Sequence, residues 1–107
     1  MTKKMFEMHA ELCKIFTNPI RLEIIDLLQN NEKSVSALAE SVGVSQSNVS
    51  QHLTILKDRG VVETRRKGNN IYYMISNPKI LDACRLMREV LLERIEENNR
   101  IVEAIKR

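Results

Sequence analysis

Residues 44–75, VSQSNVSQHLTILKDRGVVETRRKGNNIYYMI, constrain the fold more than any other stretch of the chain. Ser45 stands where a helix N-cap is wanted, and apolar residues at Val49, Leu53 and Leu56 follow at helical spacing. Gly60 stops that helix. Two β-branched or aromatic runs come next, over 61–66 and 70–75, with Lys67-Gly68-Asn69 between them as hairpin-turn chemistry. The pattern implies a reading helix followed by a β-hairpin wing, and the partner that such a pair fits is duplex DNA.

The rest of the chain builds toward this segment. Met5, Met8, Leu12, Ile15 and Phe16 predict a first helix over 3–16. Asn18 is the expected N-cap of a second helix and Pro19 its first residue. That helix carries Ile20, Leu22, Ile24, Ile25, Leu27 and Leu28 on most of its sides, so it is expected in the core, ending at Asn30-Asn31. Ser34 caps a short third helix with Leu38 and Val42 inward and Gly43 as its stop. The third and fourth helices, joined through Gly43-Val44, make a helix-turn-helix. Asn77-Pro78 repeats the device at 18–19 and opens a last helix that runs to the end. The expected fold is mainly α with a β-hairpin wing, in the order ααααββα, as one domain over 1–107 with dimerisation helices at 1–17 and 78–107.

The last helix repeats apolar residues at Ile80, Cys84, Met87, Leu91, Ile95, Val102 and Ile105, with Asn98 in the same register, in steps of three and four. This is a heptad-like seam with one polar residue, which a small domain cannot cover alone. The simplest cover is the same helix of a second copy, with the first helix beside it. A homodimer is therefore expected, with Leu12, Phe16, Met87, Leu91, Ile95, Asn98 and Val102 at its interface. The alternative is one long helix lying on its own domain.

Net charge is +3, and its distribution is more informative than its size. Residues 1–30 carry four basic and four acidic groups; residues 45–70 carry five basic and two acidic, a net of +3. The excess sits on the reading segment, as a footprint for phosphate requires. Within it, Gln46, Ser47 and Asn48, then Ser50 and Gln51 one turn on, are placed for base edges in the major groove, since Asn and Gln amides pair bidentately with adenine. Ser45 caps the helix beside them, and His52 is structural or near DNA. Lys57, Arg65, Arg66, Lys67 and Asn69 are candidates for phosphate or minor-groove contact. The alternatives are a cap with solvated amides and an ordinary solvated hairpin.

With these residues in place, the chain resembles the ArsR/SmtB family of small winged-helix repressors. The resemblance rests on Asn18-Pro19-Ile20-Arg21-Leu22-Glu23-Ile24, Ala37-Leu38-Ala39-Glu40, Ser45-Gln46-Ser47, Ser50-Gln51-His52-Leu53, Leu56-Lys57-Asp58-Arg59-Gly60-Val61-Val62 and Ile71-Tyr72-Tyr73, and spans roughly residues 10–76. It implies a homodimer joined by first and last helices, bound to a palindromic operator in double-stranded DNA and released by a metal, metalloid or redox signal. The family's Cys-x-Cys metalloid motif is missing, since Ala37-Leu38-Ala39-Glu40 stands there, and the last helix has no His for a zinc site of the family's type. His9 reads as a surface or interface residue. No metal site is assigned.

The two cysteines, Cys13 and Cys84, lie about 70 residues apart with no CxxC, and both fall on helices expected at the dimer interface. They read either as small buried hydrophobes or as a candidate thiol sensor for oxidant, a sulfur species, a thiophilic metal ion or a metalloid. Known thiol-switch members carry cysteines in the second and last helices, and Asp26 occupies the second-helix position here. No cofactor is otherwise expected.

No stretch approaches the ~18 apolar residues of a membrane helix, and the N-terminus has no apolar core of a signal peptide. A cytoplasmic protein with no membrane partner is expected. Two further readings remain: a winged-helix protein-interaction module, and an ArsR-like regulator with no metal or thiol effector. An enzyme is not expected, for want of a Gly-rich phosphate loop, a nucleophile–base motif or paired carboxylates in a pocket-like setting.

Overall fold

In the computed structural model, which describes residues 1–107, side-chain caps set most of the helix starts. Thr2 accepts from the Met5 amide at the start of α1 (Lys3–Lys14). Asn18 accepts from the Ile20 and Arg21 amides at 2.9 and 3.2 Å and opens α2 (Pro19–Leu27), with Pro19 in the first turn, where its missing N–H costs nothing. Ser34 caps α3 (Val35–Val42), Ser45 caps α4 (Gln46–Asp58) and Asn77 caps α5 (Pro78–Lys106). The first helix is shorter than its apolar spacing predicts, because Ile15–Thr17 tighten into a 3-10 turn. The second ends at Leu27, ahead of the expected Asn30-Asn31.

Between α3 and α4, Gly43 adopts φ +82°, a left-handed conformation that a side chain would strain. Its amide bonds back to the Ala39 carbonyl at 2.8 Å. This is the sharp turn that sets α4 across α3. After α4, Val61 is not the first strand residue, as its β-branched side chain suggested. It is a buried turn residue whose amide closes on the Leu56 carbonyl. The hairpin is β2 (Val62–Lys67) and β3 (Asn70–Ile75), paired from Val62↔Ile75 to Lys67↔Asn70. Lys67 thus lies inside the ladder, and the turn is Gly68-Asn69 alone. Only Gly68 has a positive φ there, +62°, the arrangement of a II′ turn with glycine at its first central position.

The expected order ααααββα misses one strand. β1 (Lys33–Ser34) pairs antiparallel with β3, Lys33 opposite Tyr73 and Ser34 opposite Tyr72, giving a three-stranded sheet of order β1-β3-β2. Two residues are too few to show an alternating pattern. They become a strand only because the tertiary fold lays them along the open edge of β3.

The core is small: 11 residues, among them Ile24, Ile25, Leu38, Val49, Leu53, Leu56, Val61 and Val62. Ile15 is buried, and Phe16 packs half-buried against this core, so the segment after α1 serves its own fold rather than only an interface. The same correction applies to the start of the C-terminal seam, since Ile80, Leu81 and Cys84 pack on the core of their own chain. Beyond them α5 is bare, and neither α1 nor α5 contains a buried residue. The two arms stretch the chain to a radius of gyration of 17.2 Å, against about 13 Å for a compact chain of this length. No helix is long and apolar enough to cross a membrane.

Candidate nucleic-acid interface

Val49, Leu53 and Leu56, all fully buried, fix α4 by one face. That choice decides what the other face presents. Ser47, Gln51 and Thr54 follow one another at steps of four and three on the side away from these residues, and all three are exposed. Gln46 is exposed in the first turn; Asn48 and Ser50 are half-buried on the flanks. Ser45 is exposed, with its hydroxyl engaged by the Asn48 amide at 3.1 Å. The structure therefore places Ser47 and Gln51 on one outward face of α4, with Gln46 exposed in its first turn but off that line. Sequence reasoning missed Thr54, although the step from Ser47 through Gln51 leads to it; its hydroxyl donates to the Ser50 carbonyl at 2.9 Å. Ile55, 37% exposed, was also missed.

Lys57 is exposed in the last turn of α4, about 16 Å along the axis from Gln46. Asp58 ends the outward line that runs from Ser47 through Thr54. A carboxylate there disfavours close approach of phosphate, which leaves the N-terminal half as the candidate reading end.

His52 does not belong to that outward line. It is half-buried, and Arg21 of α2 donates from Nε to its Nδ1 at 3.2 Å. The acceptor nitrogen carries no proton, so the ring is neutral with its proton on Nε2. Burial lowers the His52 pKa, and the Arg21 charge lowers it further. The residue joins α2 to the reading helix rather than reaching outward.

In the wing, successive side chains of β2 alternate sides. Arg65 and Lys67 share one side and both meet Glu32, Arg65 at 2.9 Å. Lys67 also lies 5.5 Å from the centre of the Tyr72 ring. Arg66 points to the other side and makes no ion pair; its Nε donates to the Gly68 carbonyl at 3.3 Å. Asn69 is exposed at the tip. The three consecutive basic residues therefore differ: Arg66 is free and the other two are neutralised in part. Glu32 had no local signal in the sequence, since its partners lie more than 30 residues away.

Both cysteines are free thiols. Cys13 is exposed on α1. Cys84 is half-buried in a cleft of about 300 Å³ between α2 and α5, lined also by Ile25, Asp26, Leu81 and Arg88. Arg88 and Asp26 face each other across this cleft at 3.6 Å. Cys84 thus meets a carboxylate–guanidinium pair on α2 and α5, where a thiol switch would need a second sulfur. Burial pushes its pKa up, with Arg88 opposing and Asp26 adding. No three His, Cys, Asp or Glu side chains of the protomer gather closely enough to share a metal ion.

The sequence profile of the bacterial regulatory proteins of the arsR family matches residues 18–64. The chain is 33% identical over 106 residues to the uncharacterised helix-turn-helix-type transcriptional regulator Rv0081 of Mycobacterium tuberculosis, covering 98% of this chain and 93% of that one. The crystal structure of Rv0081 superposes with a TM-score of 0.83 at 34% identity, over 91% of this chain and 98% of that one. The homodimeric winged helix-turn-helix domain of Mb0332 from Mycobacterium bovis, solved in solution, gives 0.80 at 31% identity, over 91% and 93%. The transcriptional repressor SdpR of Bacillus subtilis is 34% identical over 74 residues, 69% of this chain and 82% of its own.

His52 couples stability to pH. The fold favours its neutral form, so the unfolded chain takes up a proton at a higher pH than the folded one. The contribution is complete above the unfolded value, about 6.5, and is lost as pH falls through the lower folded value. Thermal unfolding followed by circular dichroism from pH 8 to pH 5 should show a steeper loss of Tm in the wild type than in His52→Asn, which keeps an acceptor for Arg21 but cannot titrate. Parallel curves would exclude this role.

Proposed function

The chain belongs to the ArsR family of bacterial regulatory proteins, which are DNA-binding transcription regulators and not enzymes, and from that premise we propose that it is a homodimeric repressor that reads a palindromic operator. The observation that carries this reading is the uncharged, hydrogen-bonding outer face of α4. Ser47 and Gln51 on this face, and Gln46 exposed in the first turn, offer a hydroxyl and amides to base edges, with no charge on the helix before Lys57. Two such helices related by a two-fold axis reach successive major grooves about 34 Å apart. Repression is supported by the relative SdpR, itself a transcriptional repressor.

The dimer follows from surface that the protomer leaves bare. Met5, Phe6, Met8 and Leu12 on α1 are exposed, as are Met87, Val90, Leu91, Ile95, Ile101, Val102 and Ile105 on α5. Exposed apolar residues along both helices mark an interface, and Mb0332 is homodimeric. Asn98 lies in this seam, where a polar residue fixes the register of paired helices at some loss of stability.

Release by a thiol or soft-ion signal is the effector reading, and Cys13 is its point of entry. The thiolate is the reactive form; partial burial pushes the Cys84 pKa up and disfavours its thiolate, while Cys13 is open to solvent. A soft ion wants about four ligands, so it would draw them from both subunits.

Three outcomes are expected. Gln46→Ala and Gln51→Ala each reduce discrimination between operator and random duplex by about 1–3 kcal/mol, whereas Arg66→Ala weakens both duplexes alike, as read by fluorescence anisotropy. Equal losses on both duplexes for all three variants would reject the division of roles. Leu91→Asp yields a folded monomer in sedimentation velocity that no longer binds operator tightly; a dimer that survives this change places the interface elsewhere. Operator affinity falls on adding diamide or As(III) to the reduced protein and stays unchanged in Cys13→Ser. A wild type indifferent to both reagents rejects the thiol sensor.

A further inference from the structure

Glu32 lies in the short connection between α2 and β1, outside every segment assigned to DNA. The pairing of Lys33 with Tyr73 holds the start of β1 against the hairpin and so fixes where the preceding residue stands. From there the Glu32 carboxylate crosses to the far strand, and a single oxygen, Oε1, accepts from Arg65 and from Lys67. Its side chain is only 21% exposed, much less than its partners at 56% and 54%. The bond from Lys67, then that from Arg65, holds the carboxyl below the usual carboxylate range, so it is an anion at any pH near neutrality. Of the three wing cations only Arg66 has no carboxylate partner.

We propose that Glu32 is an anionic latch on the wing, which holds Arg65 and Lys67 in the free protein and competes with DNA phosphate for them. A carboxylate and a phosphate oxygen recognise the same cations by the same charge-assisted hydrogen bonds. The wing therefore presents a net charge one unit lower than its three basic residues suggest. Phosphate contact is the part of DNA affinity that ignores sequence. The latch damps that part on every sequence alike and leaves discrimination to α4. Glu32 acts through Arg65 and Lys67; it is a positioning residue and not a contact.

This inference rests on the reading that the wing meets phosphate, so the test separates the two. The probe is a mixed-sequence 30-bp duplex titrated by fluorescence anisotropy across a series of KCl concentrations. The proteins are the full-length wild type, Glu32→Gln, the double variant Arg65→Gln/Lys67→Gln, and the triple variant combining all three changes. Each is first shown by circular dichroism to unfold as the wild type does. Glu32→Gln is expected to bind about three- to tenfold tighter, the scale of two exposed ion pairs. Its plot of log K against log salt should steepen by about one to two units per subunit, near 0.9 for each cation released. The triple variant should match the double variant, because without the cations there is nothing to latch. If Glu32→Gln tightens binding as much in the double-variant background, the carboxylate merely repels DNA and the latch is wrong. If Glu32→Gln binds more weakly, Glu32 instead holds the wing in its binding position, which also overturns it. If the double variant binds as the wild type does, with the same salt dependence, the wing does not meet phosphate and the underlying reading falls first.

Discussion

Everything that α4 can present depends on the burial of Val49, Leu53 and Leu56 in a core of only 11 residues. Three apolar side chains at helical spacing leave a helix one way to face. With them buried, Ser47, Gln51 and Thr54 must point outward, and Gly43 sets the angle at which α4 leaves α3. Arg21 adds a polar tie from α2 to His52 on the same helix. The reading surface is thus the unused side of a packing decision, and its hydrogen-bonding groups are held by a rigid scaffold rather than by a loop.

The smallness of the core has a second consequence. A chain of this length buries little of itself, and here α1 and most of α5 take no part in the core. Only the first turns of α5, through Ile80, Leu81 and Cys84, are anchored to the protomer. The rest is an apolar arm that the protomer leaves exposed. One helix thus links an intramolecular anchor to an intermolecular seam, with the Asp26–Arg88 pair and Cys84 at the junction between them.

Charge on this protein is organised more closely than its net value of +3 suggests. The reading face of α4 has none in its first turns, the wing has three cations in a row, and two of these are drawn onto one carboxylate. Uncharged hydrogen-bonding groups and cations thereby lie on different elements.

The helices with strong caps and regular apolar spacing, the hairpin, and the exposed polar residues Gln46, Ser47 and Gln51 were legible in the chain, because each is specified by residues close together. Asn18-Pro19, Ser34, Ser45, Gly43 and Asn77-Pro78 act within one turn of where they stand. What depends on residues far apart followed only from their packing. Two-residue β1 exists only against β3; Phe16 and Cys84 turned to their own core rather than wholly to a partner; His52 turned inward to Arg21. Glu32 found its cations more than 30 positions along. Periodicity states which face of an element is apolar but not which neighbour covers it, and ion pairs between distant residues follow only from the packing that brings them together.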